Sequence, residues 1–162
     1  MAGYPIAAEA LDLEVYLLAC TIAASRKLRA KDQRHPNLQR LARTFELSEV
    51  TRRLVSLAVV VRSMDEGRHR ADFKKIIVGT LTPDENRPRR SEPLSLREAC
   101  NKIIHAQDFN SYPGIKAAEL KEDTPLRPTV ELWGSRRDKG QELRWTARIK
   151  LWPFLDAAAG KL

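Results

Sequence analysis

The hydrophobic period of this chain changes once, and that change constrains its fold more than any other feature. In the first 64 residues apolar side chains recur every three or four positions. Leu11, Val15, Leu18 and Ile22 make one stripe, Leu13, Leu17, Cys20 and Ala24 a second, and Leu47, Val50, Leu54, Leu57, Val61 and Met64 a third. A repeat near 3.6 places each set on one side of a helix. In residues 143 to 151 the repeat is two: Leu143, Trp145, Ala147, Ile149 and Leu151 alternate with Arg144, Thr146, Arg148 and Lys150. That is a strand with one buried and one wet face.

The elements follow from these periods and from the turn residues between them. The first helix is predicted from Ala7 to about Ala30, its two stripes implying burial over a wide face. The second runs between Leu38 and Met64, with a break near Leu47 and Ser48, and Gly67 is suited to end it. Its seam resembles that of a coiled coil, so packing on the first helix is expected, with homodimerisation as the other use. "FKKIIVGTL" is compatible with a short strand, and "TPDENRPRRSEP" is a loop by composition. Ser95 and Glu98 form an S-x-x-E capping box that starts a third helix. Pro113, Gly114, Pro125 and Pro128 break the chain around a short helix at "IKAAELK". "TVELWG" and "ELRWTARIKL" then pair as a hairpin through "SRRDKG", and Pro153 opens a short terminal helix. The expected fold is therefore mainly α: an antiparallel bundle of three to four helices with a C-terminal β-hairpin. At 162 residues it is one domain, helical over 1–110, with the hairpin and short terminal helix over 128–162.

Composition narrows the class. Cys20 and Cys100 sit eighty positions apart in apolar helical patterns with no CxxC or Cys/His spacing, so both read as buried reduced thiols. His35, His69 and His105 are scattered, and none has a partner at metal spacing; no metal and no cofactor are implied. P-loop, GxGxxG, HExxH and G-x-S-x-G motifs are absent. The first 25 residues carry Glu9, Asp12 and Glu14 where a signal peptide would be uncharged, and Val15 to Ser25 is too short to span a bilayer. A cytoplasmic protein without a membrane partner is the expectation.

The net charge is +8. Residues 26 to 43 hold Arg26, Lys27, Arg29, Lys31, Arg34, Arg40 and Arg43 against the single acid Asp32, whereas residues 1 to 25 hold three acids and no base. Such a segment suits a polyanion such as RNA, and it is also what a solvated surface looks like. "RPRR" at 87–90 and "GSRRDKG" at 134–140 are smaller clusters of the same kind.

One run hints at chemistry. In "SLREACNKIIHAQDFN" the helical period groups Leu96, Ala99, Cys100, Ile103 and Ala106 on one side, and Arg97, Asn101, His105 and Asp108 on another. An imidazole can move a proton, a guanidinium can hold phosphate and an amide can orient either. The order of two long helices before a helix bearing "CNKIIH" resembles the HEPN superfamily of helical nucleotide-binding and ribonuclease domains. Asn101 and His105 match that family's Asn and His, while Cys100 replaces its phosphate-binding Arg, with Arg97 nearly a turn earlier. The resemblance covers roughly the first 110 residues and implies an RNA-binding protein: either a divergent ribonuclease using Arg97, Asn101 and His105, or a member that binds without cutting. A non-catalytic protein-interaction module, such as an antitoxin or immunity partner, is the other reading; it would use the second-helix seam and the aromatic hairpin with Trp133, Trp145 and Trp152.

Overall fold

The computed structural model describes residues 8–30, 35–68, 71–86, 90–115, 119, 121, 124–138 and 140–160. Helix α1 spans Ala8–Leu28 and α2 spans Pro36–Arg68; a 3-10 turn at Ala71–Lys74 leads into strand β1, Ile77–Thr82. Then come β2 (Glu92–Ser95), α3 (Leu96–Ile104), β3 (Asp108–Asn110), β4 (Thr129–Asp138), β5 (Gln141–Lys150) and α4 (Leu151–Ala159). The strands form one antiparallel sheet in the order β2-β1-β5-β4-β3. Helices α3 and α4 lie against one face of it, α1 packs on α4, and α2 packs on both α1 and α3.

This corrects the expected architecture. The protein is not a helical bundle carrying a C-terminal hairpin; the hairpin is the centre of a five-stranded sheet, joined on one side by β1, from the stretch compatible with a short strand, and extended by β2 and β3 from stretches read as loop and as the end of the third helix. The physical reason is length. Strands β2 and β3 have only four and three residues, too few to display a period of two, and β2 holds a proline in what reads as a loop. They are strands because β1 supplies a partner for β2 and β4 supplies one for β3.

Inside the layers the sequence pattern explains most positions. The first α1 stripe, Leu11, Val15, Leu18 and Ile22, is buried in the core. The second is not: Leu13 is 54% exposed and Cys20 is exposed, so α1 buries a narrow face and the expectation of a buried Cys20 fails. On α2, Val50, Leu54, Leu57 and Val61 are buried against neighbouring elements, while Leu47 is exposed. The expected break near Leu47 and Ser48 does not occur; α2 is continuous for 33 residues and includes Gly67. Ion pairs fasten α2 to α1 at both ends of their contact, Arg53 to Glu14 at 2.6 Å and Arg29 to Glu46 at 2.7 Å.

The hairpin has the expected alternation. Trp145, Ala147 and Ile149 point into the core, and Arg144, Arg148 and Lys150 are exposed. Trp145 lies across β4 at Gly134, where an added Cβ would sit 2.2 Å from the indole ring. Lys102 of α3 stands 4.5 Å from the same ring. The expected short helix at residues 115 to 121 falls largely outside the described residues.

Helix α3 starts where the capping box places it: the Ser95 hydroxyl accepts from the Glu98 N–H at 3.3 Å. The Glu98 carboxylate turns instead to Lys102 and Asn101, at 3.2 and 3.3 Å. Ser95→Ala should lower stability by about 1 kcal/mol, read as a shifted denaturation midpoint, since one first-turn amide loses its acceptor. The helix is shorter than the stripe implied, ending at Ile104 because the chain turns there into β3; Ala106 and Asp108 are not helical.

Candidate nucleic-acid interface

The three residues of the motif do not converge. Arg97 is ion-paired with Asp65 of α2, a carboxylate with no exposed surface that also faces Arg62 at 3.5 Å. Asn101 donates its side-chain amide to Glu98. His105 is exposed and caps the helix C-terminus, its backbone N–H donating to the Asn101 carbonyl at 3.1 Å. No hydrogen bond between side chains joins any two of the three among the described residues. The guanidinium expected to hold phosphate is occupied by a buried carboxylate in the same chain.

Cys100 is wholly buried in the core. Burial pushes its thiol up from 9.0 to about 12. The unfolded chain therefore loses this proton first, and stability should fall as pH rises from about 9 to about 12. An aromatic disulfide reagent should react with one thiol of the native protein, the exposed Cys20, and with Cys100 only after denaturation.

The basic segment divides in three dimensions. Arg29 is 7% exposed, bonded through Nε to Glu46 and 6.0 Å from the Tyr112 ring, so it is a structural cation. Arg26, Lys27, Arg40 and Arg43 are exposed, and Lys31 and Arg34 lie outside the described residues. Of the smaller clusters, residues 87 to 89 are also outside them, and Arg136 and Arg137 sit near the hairpin tip. Their strand positions, seven and eight residues beyond Thr129 at the hairpin base, put them roughly 23–27 Å from it.

At that base one arrangement joins charge to an aromatic surface. Ser25, buried on the inner side of α1, accepts a hydrogen bond from the Leu126 N–H at 2.8 Å and so draws residues 124–128 against the helix. The Leu151 N–H donates to the Pro128 carbonyl at 3.0 Å, which sets the start of α4 beside the same segment. Between them opens a groove of about 480 Å³ walled by Arg26, Ile115, Arg127 and Trp152. Trp152 is 45% exposed although its neighbours Leu151, Phe154 and Leu155 are buried. The Arg127 guanidinium is steadied by the Pro113 carbonyl at 2.9 Å, through one of its nitrogens. An exposed indole that shares a groove with two arginines can stack a base and hold the phosphates next to it. Sequence reasoning found Arg26 from the charge run but not Arg127, an isolated base between prolines, and it placed Trp152 with the hairpin aromatics instead of beside Arg26.

No helix among the described residues is long and apolar enough to cross a membrane. The chain matches no family model, no curated protein and no solved structure.

Proposed function

We propose that this protein binds single-stranded RNA in the groove between the end of α1 and the start of α4, without cutting it. The observation that carries the reading is Trp152, nearly half exposed in a groove that Arg26 and Arg127 also line. The net charge of +8 favours a polyanion, and bases splayed from a single strand are the form of nucleic acid that an exposed indole accepts. The engagement of Arg97 by Asp65 is the reason cleavage is left out of the proposal.

Fluorescence anisotropy with a short single-stranded RNA should show binding that weakens steeply with salt, because displaced counterions supply much of the free energy. Trp152→Ala should reduce affinity about tenfold or more. Arg26→Ala and Arg127→Ala should each lower affinity and flatten the salt slope by about one counterion. Absence of binding at low salt, or a Trp152→Ala protein that binds as well as the parent, defeats the proposal.

A second reading, a protein-interaction module, is favoured by one observation. Leu41 and Phe45 of α2, 39% and 54% exposed, face Cys20 and Ala24 of α1 across an apolar groove of about 350 Å³. Exposed apolar surface of that kind marks many protein contacts.

A further inference from the structure

We infer that the uncovered face of the sheet carries a second site, independent of the RNA groove, that takes the ring of a neutral sugar. Among the described residues α3 and α4 pack on the face that buries Trp145, Ala147 and Ile149, so the side chains at the alternate positions of β1, β5 and β4 face outward. The strand register aligns them in two rows: Thr82 beside Thr146 beside Trp133, and Thr80 beside Arg148 beside Glu131. Glu85 and Ser91, from the connection between β1 and β2, rise at one side. Together these eight residues enclose an open hollow of about 410 Å³.

Threonines on a wet sheet face are ordinary. What is not ordinary is the order imposed on the charged groups. Glu131 is only 8% exposed although it belongs to the wet row, and its Oε1 accepts from Arg148 Nε at 2.6 Å. Glu85 is brought back onto the sheet by two bonds: its N–H donates to the Arg144 carbonyl at 2.9 Å, and its carboxylate accepts from the Thr146 hydroxyl at 2.6 Å. Thr82 and Ser91 share a hydrogen bond of 3.1 Å at the rim. A floor and a wall are thus held in place, each by a short bond between named groups.

The chemistry of the lining selects the ligand. The lining holds two carboxylates against one guanidinium, itself bonded to Glu131, which disfavours phosphates and carboxylates relative to neutral ligands. Four hydroxyls and two carboxylates offer more polar partners than an apolar molecule can satisfy. A pyranose fits both conditions: it is uncharged, its ring hydroxyls donate and accept in alternation, and its C–H face can lie on the half-buried Trp133. The volume lies at the small end of the range of ligand pockets, suitable for one or two sugar rings.

The test is a titration of the isotope-labelled full chain, followed by amide and indole chemical shifts, with glucose, galactose and N-acetylglucosamine, and with glucose 6-phosphate as the anionic counterpart. At least one neutral sugar should give saturable shifts at Trp133, Thr80 and Thr146 with a dissociation constant of about 1–10 mM. Glucose 6-phosphate should bind less tightly than glucose. Trp133→Ala and Glu131→Gln should each weaken binding tenfold or more, and Trp152→Ala should not change it. If Glu131→Gln does not fold, Glu85→Gln, at an exposed position, tests the same carboxylate requirement. No saturable shift with any of the three neutral sugars, tighter binding of the phosphate, or unchanged affinity after the Trp133 and carboxylate substitutions would overturn the inference. Since Trp152 is untouched, failure here leaves the RNA groove standing, and failure of RNA binding leaves this site standing.

Discussion

Gly79→Ala should be among the most damaging single substitutions in this protein, costing about 3–5 kcal/mol and lowering the melting temperature on the order of 10 °C. Gly79 sits at the bulge where the register of β1 against β2 shifts, and on its other side it pairs with Ile149 of β5. A Cβ there would lie 2.0 Å from the Arg148 carbonyl oxygen and 3.0 Å from its carbon. That neighbour is backbone, so no side chain can swing aside; the strands must separate, and ladder hydrogen bonds at the middle of the sheet are lost. Thermal denaturation followed by circular dichroism checks it. A melting temperature within a degree or two of the parent would show that β1 does not pack on β5 in this register.

Asp65→Ala should cost roughly 3 kcal/mol, toward the low end for breaking a buried ion pair, because Arg62 and Arg97 remain 27% and 26% exposed and can reach water. Arg62 also keeps Glu66, at 2.8 Å. The loss is still large, since Asp65 has no exposed surface and its carboxylate holds α3 to α2 through Arg97. Arg97→Ala is the informative companion. It leaves a buried carboxylate facing only Arg62, so it should destabilise the protein comparably in urea denaturation while leaving RNA affinity, measured below the unfolding transition, within twofold. A stable Arg97→Ala protein that has lost RNA binding would return Arg97 to the phosphate-binding role expected from the helix motif.

Much of the chain was legible without a structure. The stripe from Leu11 to Ile22, the buried run Val50 to Val61, the Ser95 cap and the alternation from Leu143 to Leu151 each record a preference of neighbouring residues for one backbone period. Such local preferences survive in any fold the chain adopts. The N-cap was legible for the same reason: a hydroxyl three residues before the amide it serves needs nothing from elsewhere. The spacing of Arg97, Asn101 and His105 was legible, but the engagement of Arg97 by Asp65 was not, because spacing on a helix does not say what faces it.

The tertiary structure decided the rest, wherever the outcome depended on which distant segments met. Short segments such as Glu92–Ser95 and Asp108–Asn110 became strands because neighbouring strands completed their hydrogen bonds, not because their own residues demanded it. Arg29 and Arg97 became structural cations because Glu46 and Asp65 lay across the helix contacts, whereas Arg26, in the same basic run, met Trp152 and Arg127 from the far end of the chain. The sequence by itself determined the helices, the central hairpin and the excess of positive charge. Only the three-dimensional packing decided which of those charges are spent on buried carboxylates and which stand beside an exposed indole, because a charge takes its role from its nearest opposite charge and from water, and neither is set by position along the chain.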